Sequence, residues 1–280
     1  MTGALRLPAP AKLNLFLHVT GKRPDGYHNL QTVFQLLDFG DTIELQPTAD
    51  GKITLASEMP GVPAAEDLTV RAARALAHAT RGESGVRITV AKRIPVGGGL
   101  GGGSSDAATT LLGLNRLWGC GLGIDALAAI GVGLGADVPV FVRGHSAWAE
   151  GIGEHLVPID LPPAWYLVIH PGCAVNTAAI FRDEELTRDT PLTTMAAFFA
   201  GSGRNDCEPV VRKRYRPVAD ALDWLAGHGS ARMSGTGSCV FAAFGHEQEA
   251  RHVAESVPAE WMRFVARGLD RSPVHSALGI

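Results

Sequence analysis

From Lys12 to Val19 the chain alternates, with Leu13, Leu15, Leu17 and Val19 on one side and Lys12, Asn14, Phe16 and His18 on the other. A period of two predicts a β-strand and places Lys12 and Asn14 on the same face. The Pro24-Asp25-Gly26 turn follows, and Thr32 to Leu37 and Asp41 to Leu45 read as two further strands. Between Glu66 and Thr80 the apolar positions Leu68, Ala72, Ala75, Leu76 and Ala79 recur at helical spacing, and Gly85 to Ala91 alternates again. Beyond a glycine run, Ala107, Ala108, Leu111, Leu112, Leu114 and Trp118 mark a second helix, with Ser104 and Ser105 as candidate caps. Residues 124 to 134 predict a short helix. Asp137 is expected in a tight connection before a strand at 140 to 143.

The second half continues with a strand at Trp165 to Ile169 and a helix capped by Asn176 or Thr177 that runs to Leu186. A helix at Ala219 to Ala226, a strand at Cys239 to Phe244, a helix at Glu247 to Val257 and a strand at Met262 to Ala266 complete the order. Strands and helices mixed in this way predict an α+β protein. The proline-rich segment Val157 to Pro163 divides it into residues 1–157 and 158–280.

Composition narrows the function. The 280 residues are 46% hydrophobic and 19% charged, within the range of globular proteins, and the net charge of −3 offers no basic field for nucleic acid or an anionic membrane. The cluster Arg212-Lys213-Arg214-Tyr215-Arg216 reads as a solvated helix face. Cys120, Cys173, Cys207 and Cys239 are too dispersed for a disulfide framework or a zinc site. Without a signal-like or membrane-spanning apolar run, the expected location is the cytoplasm.

The 34 glycines cluster, most densely in Pro95-Val96-Gly97-Gly98-Gly99-Leu100-Gly101-Gly102-Gly103-Ser104-Ser105-Asp106. Glycines ahead of a helix expose N–H groups in a concave nest at the positive end of the helix dipole, which suits phosphate. A flexible linker is the alternative, but a linker would not abut a strong apolar helix stripe. Gly97, Gly99 and Gly102 also satisfy G-x-G-x-x-G, yet no acidic residue closes a second strand about 20 residues on, which disfavours a dinucleotide site. Gly98 to Gly103 has the spacing of a P-loop, but Ser104 stands where its lysine should be. Any lysine serving phosphoryl transfer must come from elsewhere.

A glycine loop that ends in hydroxyls resembles the second motif of the GHMP small-molecule kinases. "PAKLNLFLHVTGKRPDGYHNLQTVFQLLDFGD" (9–41), "LGADVPVF" (134–141) and "MSGTGSCVF" (233–241) extend the resemblance over nearly the whole chain. It implies a two-domain α+β fold, with an N-terminal α/β domain like ribosomal protein S5 domain 2, a C-terminal ferredoxin-like α+β domain, and the active site between them. The GYH segment narrows it to members that use Mg-ATP to phosphorylate the 2-hydroxyl of 4-diphosphocytidyl-2-C-methyl-D-erythritol in the non-mevalonate isoprenoid pathway.

The resemblance assigns Asp137 as acceptor of the hydroxyl proton and Lys12 as the lysine that orients it and stabilises charge on the reacting oxygens. Pro95, Gly97, Gly98, Gly99, Leu100, Gly101, Gly102, Gly103, Ser104 and Ser105 are expected to hold ATP. Gly99 stands where an alanine is common, a change expected only to loosen the turn. Tyr27 and Phe181 are expected to sandwich cytosine, with His28 on its edge and Asn14, Gly235, Thr236 and Gly237 completing the acceptor side. For Phe181, helix packing against Ile180 and Leu186 is an equal reading. Without the resemblance, Lys12 reads as a strand-edge lysine and Asp137 as a turn cap. Mg²⁺ is implied without an assignable ligand, and Asp67-Leu68, where such kinases have Asn-Leu, leaves the adenine contacts open. The rivals are a GHMP kinase for another small alcohol, a nucleotide-binding sensor without catalysis, and a dehydrogenase.

Overall fold

The structure, a computed structural model, describes residues 3–56, 63–82 and 84–280. In order they form β1 (Leu5–Lys22), β2 (His28–Thr48), β3 (Ile53–Leu55), α1 (Leu68–Thr80), β4 (Gly85–Ala91), α2 (Gly102–Leu117), α3 (Ile124–Val132), α4 (Val138–Arg143), β5 (Ala147–Gly151) and β6 (His155–Pro158). Then follow β7 (Trp165–His170), α5 (Thr177–Arg182), α6 (Met195–Phe199), α7 (Glu208–Arg214), α8 (Arg216–Ala226), β8 (Arg232–Met233), β9 (Val240–Phe244), α9 (Glu247–Glu255), β10 (Met262–Leu269) and α10 (Pro273–Leu278). This is the α+β class expected from the sequence. No described helix is long and apolar enough to cross a membrane.

The strands run in the order β3-β4-β2-β10-β7-β9-β8, with β1 and β5 also on β2 and β6 on β5. Among the described strands only the short β3–β4 pair is parallel; the other strand pairs are antiparallel. The long β1 is the spine of the molecule. Leu7 and Ala9 belong to an N-terminal core with Leu36, Leu45, Leu76 and Leu111. Ala11 and Leu13 pack with Leu37, Leu100 and Val168 midway, and Leu17 and Val19 reach a C-terminal core with Ile169, Leu222 and Val240. Returning from the other end, Val274 and Leu278 of α10 join the N-terminal core. One strand therefore ties both cores to the residues it carries, including Lys12 and Asn14.

Four expectations from the pattern are corrected. The apolar run 138–143 is a helix, not a strand: Pro139 sits in its first turn, Gly144 closes it in the left-handed conformation, and Val138 to Val142 are all buried. A short run buried on every side has no periodicity that distinguishes helix from strand. The two strands expected at 32–37 and 41–45 are one, because the polar and glycine interruption stays paired, with Gly40 opposite Pro10. The glycine-loop helix starts ahead of its two serines, with Gly101 at the N-cap and no side-chain cap. Asn176 does cap α5, its Oδ1 accepting from Ala179 N at 3.0 Å, but the helix stops at Arg182.

Candidate active site

The glycine run leaves β4 and turns into α2 against the loop between β8 and β9. Cys239 N donates to Gly98 O at 3.0 Å, Ser238 N donates to Gly97 O at 3.3 Å, and Ser234 Oγ donates to Gly99 O at 2.9 Å. Contact is close enough to require glycine: Gly99 has φ +75°, and a Cβ there would lie 2.2 Å from Ser234 O. An alanine at 99 would therefore collide with backbone, which corrects the expectation that the position only tunes looseness. Gly101, also at positive φ, passes the Phe141 ring and the Lys12 stem, which a Cβ would meet at 2.9 and 3.1 Å. The first bond of α2 runs from Ser105 N to Gly101 O at 2.8 Å. The N–H groups of Gly102, Gly103 and Ser104 precede it, so the start of this helix offers donors and the positive end of its dipole.

Below the loop, Lys12 is 3% exposed and held from several sides. Its backbone N–H donates to Leu100 O at 3.0 Å, and its Nζ donates to Asn14 Oδ1 at 2.5 Å, lies 3.2 Å from Asp137 Oδ2 and stands 5.3 Å from the Phe34 ring centroid. Asn14 Nδ2 in turn donates to Thr32 Oγ1 at 3.0 Å, which leaves Asn14 Oδ1 turned to the ammonium. The shared face read from the alternation is thus a hydrogen-bonded pair. Asp137 precedes α4 in helical conformation, but its side chain makes no cap bond; it is aimed at Lys12 and is one-third exposed.

Lys12, Asn14 and Asp137 line a cleft of about 930 Å³, together with Gly99, Gly101, Ser104, Gly235 and Thr236. Tyr27, His28 and Phe181 line it too, as do Arg182 and Arg188. Pro95, Gly97, Gly98, Leu100, Gly102, Gly103, Ser105 and Gly237 are not among its lining residues. Phe181 stacks on His28, ring centroids 5.1 Å apart and planes 25° apart, and packs on the C-terminal core, so it is both core and cleft. Tyr27 is largely exposed at the turn into β2. Burial holds the His28 pKa below its ordinary value, with the Arg188 and Lys22 charges acting in the same direction.

Three groups near the cleft escaped the sequence reading. Lys92 pairs with Asp41 and, at 2.8 Å, with Asp106 of α2, while Asp41 accepts from Arg93 N and Ile94 N. This brace anchors the start of the glycine segment. Burial pushes the Asp106 carboxyl up to about 7 against the pull of Lys92. Asn205 donates from Nδ2 to Met233 O at 2.8 Å and Gly235 O at 2.7 Å and accepts from Cys207 N at 2.9 Å, pinning the 233–238 loop. Arg188, in an irregular segment, bonds His28 and the carbonyls of Phe181, Asp183 and Leu186 at and just beyond the end of α5. None carries a local motif; only the Asp106 position, just after the serines, had a signal. The basic cluster at 212–216 is paired off on the surface, with Asp223, Glu185, Asp183 and Asp220.

Among the described residues no group of three or more His, Cys, Asp or Glu side chains is placed to hold a metal. The oxygen donors at the helix start are the cleft-lining Ser104 and the fully buried Ser105, whose Oγ has no hydrogen-bond partner. That set fits a Mg²⁺ that arrives on phosphate oxygens, and does not fit a cation caged by protein alone.

The chain resembles known proteins over nearly its whole length. Residues 67–145 match the GHMP kinases N terminal domain and residues 188–262 the GHMP kinases C terminal domain. A 4-diphosphocytidyl-2-C-methyl-D-erythritol kinase of Halorhodospira halophila is 59% identical over 97% of this chain and 95% of its own. One of Chromohalobacter salexigens is 55% identical over 99% and 95%. A crystal structure of 4-(cytidine 5'-diphospho)-2C-methyl-D-erythritol kinase superposes with TM-score 0.82 at 33% identity, covering 94% of this chain and 99% of that one. A homoserine kinase from Cytophaga hutchinsonii shares the fold at 17% identity and TM-score 0.69, over 98% and 97%. With its glycine nest, its Lys12–Asp137 pair and full-length likeness to these enzymes, the chain belongs to the GHMP kinases, in the family of the 4-diphosphocytidyl-2-C-methyl-D-erythritol kinases.

Proposed function

We propose that the protein transfers the γ-phosphoryl group of ATP to the 2-hydroxyl of 4-diphosphocytidyl-2-C-methyl-D-erythritol, giving the 2-phosphate and ADP, in the non-mevalonate isoprenoid pathway. The observation that carries this reading is the 3.2 Å pair of Lys12 and Asp137 directly beside the glycine nest, in the same cleft as Tyr27, His28 and Phe181. Residues 1–157 supply the nest, and residues 158–280 supply Phe181 and the loop with Gly235 and Thr236 that covers it.

Phosphoryl transfer asks the protein mainly for positioning and charge neutralisation. The N–H groups at the start of α2 receive ATP phosphate oxygens, and Ser104 offers its hydroxyl beside them. A Mg²⁺ carried in on those phosphates would be met by the Ser104 hydroxyl and would supply charge neutralisation. Asp137 accepts the proton of the substrate hydroxyl as its oxygen bonds to the γ-phosphorus and the bond to ADP breaks. Lys12, buried and held by Asn14, keeps Asp137 turned toward the reacting oxygen and offsets the negative charge that spreads over the γ-oxygens. The aromatic groups hold the cytosine.

The test is ADP release and product formation with Mg-ATP and 4-diphosphocytidyl-2-C-methyl-D-erythritol, beside mevalonate, homoserine and galactose, and again with Asp137→Ala. Turnover confined to the cytidylyl substrate and lost in the variant is expected. Turnover of another alcohol in preference, or ATP binding without turnover of any, would overturn it.

A further inference from the structure

Arg188 lies between α5 and α6, half-buried on the cleft wall, and spends its guanidinium on four neighbours. Nη2 donates to Phe181 O at 2.9 Å and Asp183 O at 2.6 Å, Nη1 donates to Leu186 O at 3.0 Å, and Nε donates to His28 Nε2 at 3.2 Å. Three of these bonds close the end of α5. The fourth has a chemical consequence. A guanidinium is always charged and has no acceptor, so the imidazole nitrogen facing it must be the unprotonated one. His28 is then neutral with its proton on Nδ1. A second proton, on Nε2, would set two donors face to face beside a positive charge, and burial opposes it as well. Among the described residues Nδ1 has no hydrogen-bond partner, and the ring lies in the cleft against Phe181.

We infer that Arg188 is a positioning residue that fixes His28 as the neutral Nδ1–H tautomer and thereby makes the cleft select a pyrimidine whose ring N3 is a bare acceptor. The inference rests on reading this part of the cleft as the base site. A donor-only imidazole complements cytosine, whose N3 accepts, and opposes uracil, whose N3 carries a hydrogen. Tyr27 and Phe181 do not discriminate in this way, because every base offers a π-face. Selectivity thus comes from a residue that touches the histidine rather than the base.

The tautomer is read from long-range ¹H–¹⁵N spectra of the ¹⁵N-labelled free protein, with His28 assigned by the signals lost in His28→Gln. The wild type is expected to show a protonated Nδ1 and a bare Nε2, and Arg188→Met to shift toward Nε2–H. In parallel, kcat/KM is compared for the cytidylyl substrate and its uridylyl analogue. The preference for cytidylyl should fall roughly tenfold or more in Arg188→Met, the scale of one base-edge hydrogen bond, with KM changing more than kcat. Arg188→Lys retains a cationic donor but cannot bridge all three carbonyls, and should restore the tautomer and part of the preference. A wild-type His28 protonated at Nε2 overturns the inference whatever the enzyme turns over. So does an Arg188→Met protein with an unchanged tautomer and both substrates weakened equally, the result expected if Arg188 only braces α5. A shifted tautomer beside a wild type that ignores the cytidylyl substrate sinks the proposed reaction and leaves the proton assignment standing.

Discussion

Lys12 Nζ and Asp137 Oδ2 lie 3.2 Å apart, one on the spine strand and the other at the head of a short helix, and Asn14 holds the ammonium from its free side. On the proposed mechanism both groups act on the same reacting oxygen, so their contributions are not independent. Lys12→Met and Asp137→Asn should each lower kcat by about 10² to 10⁴ while changing the affinity for ATP far less. The double variant should be little worse than the poorer single one. Steady-state kinetics with a direct ATP-binding titration checks this; independent, multiplicative losses would separate the roles of the two residues.

The contact between Gly99 and Ser234 makes the nest intolerant of even one methyl group. Gly99→Ala would hold an L-residue at φ +75°, costing about 1 to 2 kcal/mol, and would drive its Cβ to 2.2 Å from Ser234 O. The expected outcome is a lower melting temperature together with a raised KM for ATP. Gly103→Ala, inside α2 and facing only the flexible end of Leu68 at 3.2 Å, should be nearly neutral in stability. Thermal melts of the two variants test the contrast.

Asn205 donates two buried hydrogen bonds that hold the 233–238 loop at the cleft and accepts a third from Cys207 N that fixes its own amide. Asn205→Leu leaves the Met233 and Gly235 carbonyls without this donor, each at about 1 to 3 kcal/mol. Denaturant unfolding should show a loss of several kcal/mol. Hydrogen exchange should rise at Gly235 to Ser238 before it rises in β2.

Asp106 makes stability depend on pH. In the unfolded chain its carboxyl ionises near 4, whereas in the folded protein burial raises it to about 7, and its Oδ1 has no partner. Between those values the native state holds a proton that the unfolded state has released. The stability tied to that proton is complete below about pH 4 and is lost as pH rises through 7. Asp106→Asn cannot ionise, so it should be more stable than the wild type at pH 8, with the gain shrinking toward pH 4. Urea unfolding across that range measures it; a variant less stable at pH 8 would mean the ion pair with Lys92 outweighs the burial of the charge.

The sequence by itself determined the features that depend on neighbours along the chain. Alternation from Lys12 to Val19 put Lys12 and Asn14 on one face, and the structure joins their side chains. The apolar stripe after the glycines announced the helix they lead into, and Asn176 capped its helix as read. Only the tertiary structure decided the rest, because the deciding contacts join distant segments. Val138 to Val142 became a helix since burial on every side erases the period that would name it. Gly99 became indispensable through a carbonyl contributed by Ser234. Asp137 meets Lys12, Asn205 holds the 233–238 loop and Arg188 faces His28 only once segments far apart in sequence pack together. A side chain's partners across the fold leave no mark on the pattern around it, so packing alone turns separate motifs into one site.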